Sequence, residues 1–163
     1  VDLILVKTEK SQNKTVRQSS DNLRRAQEQA AAIPPALKGC ISAFLEVPSG
    51  GQDYHSVLGF GTTIGIYACI EGMLDVPTIE VSPSETKMAA VGTKTASKQE
   101  MIAWATEKYP DAPWRTARGK VGGKPTLDNE HLADAIAIAE AGVKTPAFRQ
   151  TIAILAASMP KAA

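Results

Sequence analysis

Gly39-Cys40-Ile41-Ser42-Ala43-Phe44-Leu45-Glu46-Val47-Pro48 is a short apolar run closed by a glycine and a proline, with one charged side chain, Glu46, near its far end. Such a run fits a buried strand. A segment rich in small apolar residues follows from about Ser56 to Leu74, with Gly59, Gly61, Gly65 and Ala68, and reads as a helix packed closely on a sheet. Pro77-Thr78-Ile79-Glu80-Val81 supplies the next strand, so the order is β-α-β and the class α/β. Upstream, Val1 to Thr8 reads as another strand and Glu9 to Asp21 as a polar loop. Ser20 or Asp21 caps a helix that Pro34-Pro35 stops. Downstream, the spacing predicts a short helix over Pro83–Val91 and a helix from Ser97, as cap, to Tyr109. A basic segment from Ala112 to Pro125 comes next, with Arg115, Arg118, Lys120 and Lys124. Two last helices begin near Asn129, with Asp128 as cap, and at Pro146.

The 163 residues, 44% hydrophobic and 21% charged, suit a single globular domain. The 5% aromatic content and the weight of Ala, Val, Ile and Leu argue against a disulfide scaffold or a disordered chain. No apolar run is read as reaching the roughly 18–20 residues of a membrane span, nor is there a secretory signal. We therefore expect a soluble, cytoplasmic protein with no membrane partner. Cys40 and Cys69 lie in apolar stretches without metal-like spacing and are expected as buried, reduced thiols. The net charge of +1 conceals segregation: residues 1–45 carry +3, 46–86 carry −6, 87–124 carry +5 and 125–163 carry −1. An acidic middle between basic segments suits a site for metal ions and a polyanion, and solvated helix faces give the same pattern.

Three groups of residues could do chemistry. Glu46 is a site residue or an exposed strand terminus, since open α/β sheets gather function beyond the carboxyl ends of their strands. The adjoining Pro48-Ser49-Gly50-Gly51-Gln52 is a plain turn or a loop whose glycines let backbone approach a phosphate. In Asp128-Asn129-Glu130-His131-Leu132-Ala133-Asp134, His131 and Asp134 are three apart and share one side of a helix. They are the polar start of a core helix or, with Glu46, ligands for Mg²⁺ or Mn²⁺. Two such ions can activate water and stabilise the leaving oxygen in phosphodiester hydrolysis. Lys87, Lys94 and Lys98 are an ordinary basic face or contacts to phosphates.

Taken together, these residues resemble the RuvC-like Holliday-junction resolvases of the RNase H-like nuclease superfamily. The resemblance rests on Phe44-Leu45-Glu46, on Pro83-Ser84-Glu85-Thr86-Lys87-Met88-Ala89-Ala90-Val91-Gly92 continuing to Lys98, and on His131-Leu132-Ala133-Asp134-Ala135-Ile136-Ala137-Ile138-Ala139. It covers roughly residues 36–142. It implies a three-layer fold with a mixed central sheet flanked by helices, spanning residues 1–163 as one nuclease domain. It implies a metal-dependent endonuclease that resolves four-way DNA junctions as a homodimer, the helix with Gly61 and Gly65 contributing to the dimer. Glu46, His131 and Asp134 match metal-site and catalytic positions, Lys98 a basic catalytic position, and Lys87 and Lys98 positions of DNA contact. The family also carries an Asp in its first strand, for which Asp2 is a poor substitute. Val1 to Thr8 resembles the family's third strand, so the chain is read as N-terminally incomplete. The alternative is a non-catalytic DNA-binding or assembly module of the same fold.

Overall fold

The structure, a computed structural model, describes residues 1–47, 53–117, 123 and 125–158. The loop Pro48–Gln52 and, in the basic segment, Arg118, Lys120 and Lys124 lie outside the described residues. The chain divides into two compact units, residues 5–78 and residues 1–4 with 79–163.

The first unit holds α1 (Gln18–Ala32), a 3-10 turn (Pro34–Leu37), β1 (Ala43–Glu46) and α2 (Tyr54–Met73). Helix α1 starts earlier than the expected cap at Ser20 or Asp21, and its N-cap Arg17 makes no side-chain capping bond. The Asp21 carboxylate is engaged elsewhere: it accepts from the Ser11 N–H at 3.1 Å and from Arg24 Nη2 at 2.7 Å. Arg24 also donates to the Glu9 carbonyl at 2.7 Å, and Arg25 to the Thr8 hydroxyl at 3.0 Å. These bonds lace the polar segment before α1 onto the helix. The Arg24 guanidinium, ahead of the Ser11 N–H, holds the Asp21 carboxyl below its ordinary pKa.

Two bonds to the Pro77 carbonyl, from the Ala43 N–H at 3.1 Å and the Ser42 hydroxyl at 2.8 Å, anchor the start of β1. Ile66 and Ile70, four apart on α2, are the buried apolar residues of that helix. The rest of α2 departs from expectation. A Cβ added at Gly59, Gly61, Gly65 or Gly72 would meet nothing within 4 Å, so these glycines mediate no close approach to a sheet. Tyr54, Val57, Leu58, Ile64 and Met73 are exposed. Ser56–Met73 also corrects the reading that no segment is long enough to span a bilayer: it reaches that length and apolarity by composition alone. Cys40 and Cys69 are exposed free thiols, not buried ones, because one follows the 3-10 turn and the other lines an open groove between α1 and α2.

The second unit holds β2 (Thr78–Val81, with Thr78 belonging to the first unit), α3 (Pro83–Ala90), α4 (Lys98–Lys108), α5 (Asn129–Gly142) and α6 (Pro146–Ser158). Two Ser-x-x-Glu capping boxes start α3 and α4. Ser82 and Glu85 satisfy each other's backbone N–H groups, and Ser97 and Glu100 do the same. Gly92, at φ +80°, takes the left-handed turn that ends α3. Helices α3 and α4 both pack on α5. Ala133, Ala137 and Ala141 recur every fourth residue along α5 and are almost wholly buried, which lets neighbouring backbone come close. Around them sit Ala96, Met101, Ala105 and Ile136, flanked by Val91, Trp104, Tyr109 and Trp114. Glu140 ties the ends of α4 and α5, accepting from Lys108 Nζ at 2.6 Å and the Tyr109 hydroxyl at 2.8 Å.

Val1 to Thr8 carries no strand. An extended apolar segment becomes a strand only when a neighbour satisfies its N–H and C=O groups along a ladder. Leu3 instead contributes its side chain to the Ala105–Ala133–Ile136 cluster.

Candidate functional site

Helix α5 carries the sequence-predicted pair. Its first turn follows a tight turn in which the Asn129 N–H donates to the Thr126 carbonyl at 3.1 Å and the Glu130 N–H to the Leu127 carbonyl at 3.0 Å. Asp128 occupies the cap position but makes no side-chain capping bond, contrary to expectation. Its backbone is helical, and its carboxylate faces Arg115 at 3.8 Å.

Asn129, which sequence reading missed, is fully buried. Its Oδ1 accepts from the Arg115 N–H and its Nδ2 donates to the Arg115 carbonyl, both at 2.8 Å. The Thr126 N–H also donates to that carbonyl, at 3.0 Å. The side chain of Asn129 thus stands in for a neighbouring strand and fixes Arg115 at the base of α5. An Asn beside Asp128 at a helix start gives no local sign that it points inward.

Because α5 buries Ala133 and Ala137, the edge next to that stripe carries Glu130, His131 and Asp134. His131 is exposed, and Glu130 and Asp134 are half-buried. Lys98, the first residue of α4, reaches this edge: its Nζ lies 2.6 Å from Glu130 Oε1. The Glu130 hydrogen bond, ahead of the charges of Glu130 and Asp134, raises the Lys98 pKa above its ordinary value, so the ammonium stays charged at neutral pH. Sequence reading had Lys98, His131 and Asp134 but not Glu130, whose partner lies 32 residues away in the chain. Lys87 sits half-buried in the last turn of α3, and Lys94 is exposed in the turn joining α3 to α4. The second unit therefore brings Lys98, Glu130, His131 and Asp134 to one edge, with Lys87 and Lys94 on the neighbouring helix and turn.

Glu46 belongs to the first unit, half-buried at the end of β1. Its charge there adds to burial in pushing the Tyr67 hydroxyl above its ordinary pKa, burial being the larger cause. Within either unit, among the described residues, no group of three or more His, Cys, Asp and Glu side chains gathers as a metal cluster. The donors themselves suit a hard cation: Mg²⁺ is commonly held by one or two carboxylates, with water and substrate phosphate completing its shell. Asp134, and Glu46 in the other unit, are donors of that kind, while His131 beside Asp134 offers a ring nitrogen.

No protein-family model matches the chain. It is 32% identical over 108 residues to the crossover junction endodeoxyribonuclease RuvC of Anaeromyxobacter sp. (strain K), covering 66% of this chain and 51% of that protein. The RuvC of Anaeromyxobacter dehalogenans (strain 2CP-1 / ATCC BAA-258) matches with the same identity and coverage. The chain thus spans about half the length of the curated relatives it matches. Among solved structures, Thermus thermophilus RuvC superposes with a TM-score of 0.52 at 20% identity, over 86% of this chain and 75% of that one. That likeness carries the fold, a mixed α/β arrangement of the RNase H-like kind. In fold, and in sequence over about two thirds of its own length, the chain is similar to RuvC.

Proposed function

We propose that the chain is the nuclease domain of a metal-dependent, structure-selective DNA endonuclease that resolves four-way junctions. One observation carries the reading: in a RuvC-like chain, the edge of α5 with His131 and Asp134 also receives the ammonium of Lys98. Asp134 and His131 in the second unit, and Glu46 in the first, are the residues we assign as ligands for Mg²⁺ or Mn²⁺, with two ions expected. When bound, the metal lowers the pKa of water and stabilises the leaving oxygen of a phosphodiester. The protein's own groups do the rest. Lys98 places a fixed positive charge where a phosphate accumulates negative charge, Lys87 and Lys94 steer the backbone of branched DNA, and His131 either coordinates the metal or positions the attacking water. Cytoplasmic action on recombination intermediates follows from this reading.

Two sites acting on two strands require a twofold homodimer. The outward face of α2, with Val57 and Ile64, supports that assembly, since an exposed apolar patch marks an interaction surface. The test uses protein made from the complete coding sequence, a synthetic four-way junction and Mg²⁺. Nicking that disappears in Asp134→Asn, with junction binding retained, is the expected result. Salt-sensitive junction binding without cleavage in any divalent cation would instead mark a non-catalytic binding module.

A further inference from the structure

We infer that Glu130 is a positioning residue for Lys98, holding its ammonium on the edge of α5 that carries His131 and Asp134; the inference rests on the nuclease reading above. Lys98 opens α4, and its side chain is 68% exposed, so four rotatable carbons would otherwise spread the charge through solvent. Glu130 is only 20% exposed and stands on the first turn of α5, a helix held from both α3 and α4. A carboxylate on that rigid support, 2.6 Å from Nζ, confines the ammonium. The pairing does not exhaust it: an ammonium has three donors, Glu130 takes one, and among the described residues the others remain for a phosphate oxygen. Glu130 and Asp134 are four residues apart on the same helix, so a phosphate drawn to Lys98 arrives one helical turn from Asp134. Glu130 touches neither DNA nor metal in this scheme and acts through Lys98 alone.

The test is a double-mutant cycle on protein from the complete coding sequence, with a four-way junction and Mg²⁺. E130Q keeps the shape of the side chain and removes its charge. We expect a kcat lower by roughly 10- to 100-fold. The KM for the junction should be unchanged or lower, because a negative charge near the DNA has gone. In the K98M background, E130Q should produce no further fall, since the group it positions is absent. A kcat equal to the parent's in E130Q overturns the inference while the nuclease reading stands. A full additional loss in the double variant also overturns it, because Glu130 would then act other than through Lys98. A parent protein that cuts nothing in Mg²⁺ or Mn²⁺ overturns the nuclease reading, and this inference with it.

Discussion

Helices α2 and α5 are built from similar residues and have opposite fates. Both are long, apolar and rich in small side chains. On α5 the small residues are alanines at four-residue spacing, and α3 and α4 pack on that helix. On α2 they are glycines with nothing within 4 Å of where a Cβ would stand, and five large apolar side chains lie exposed beside them. A small-residue stripe therefore permits close packing and does not cause it. What decides is how closely a partner comes: α1 packs on α2 but leaves open space at each of these glycines. We read α5 as the support of a catalytic edge, and the bare face of α2 as the surface left for a second copy.

The sharpest way to break that contrast is Asp134→Asn. If α5 supports the site, cleavage of a four-way junction falls by about 100-fold or more, beyond what loss of an outer partner of a metal ligand costs. The oligomeric state should not change. Ile64→Glu on α2 should do the reverse at the level of assembly, giving a monomer by sedimentation. Next in size, Ala137→Leu should destabilise the fold by about 1–3 kcal/mol in urea unfolding, because Ala137 is wholly buried against Ala96 and Met101. Asn129→Ala should cost a similar ~1–3 kcal/mol by stranding the Arg115 N–H and removing one of the donors to the Arg115 carbonyl. Gly65→Ala on α2 should have the opposite sign, stabilising by about 0.4–1 kcal/mol, since the helix interior disfavours glycine and no neighbour is displaced. Loss of the dimer in Gly65→Ala would place a partner backbone against that glycine.

The smallest effect is on pH dependence and separates the two units by their acidic anchors. The Lys108 hydrogen bond is the largest of the causes that hold the Glu140 carboxyl below its ordinary range. Because its folded pKa is depressed, the unfolded chain binds the proton more readily. The stability it contributes is present above the unfolded carboxyl pKa of about 4.3 and is lost as pH falls through the lower folded value. Asp21, held down by Arg24, behaves in the same sense in the other unit. Glu140→Gln should flatten the acid limb of the stability profile for the α4–α5 contact and leave that of α1 unchanged.

Much of this architecture was legible in the sequence where the signal is local. Pro34-Pro35 stops α1, Ser97 caps α4, the short run ending at Glu46 is a strand, and Gly92 turns the chain after α3. Of the candidate site, Lys98, His131 and Asp134 were legible because residue type and helical spacing place them. Glu130 and Asn129 were not. Each acts through a partner 14 or 32 residues away, and nothing in their immediate neighbours announces the partner. Asp21 and Asp128 were misjudged for a related reason: an Asp at a helix start is an eligible cap, and a nearby arginine or a distant N–H competed for it.

By itself the sequence determined which segments become helices, roughly where they stop, and which residues share a helical edge. Those outcomes rest on backbone sterics, capping and periodicity over a few residues. The tertiary structure alone decided that the stripe of α5 is covered while the glycine-rich face of α2 is bare. It decided that Lys98 meets Glu130, and that Val1 to Thr8 lends Leu3 to a core without forming a strand. Pairing and burial depend on which distant groups arrive within a few ångströms of one another. No local pattern encodes that, because an apolar face or a charged side chain is satisfied equally well by many partners.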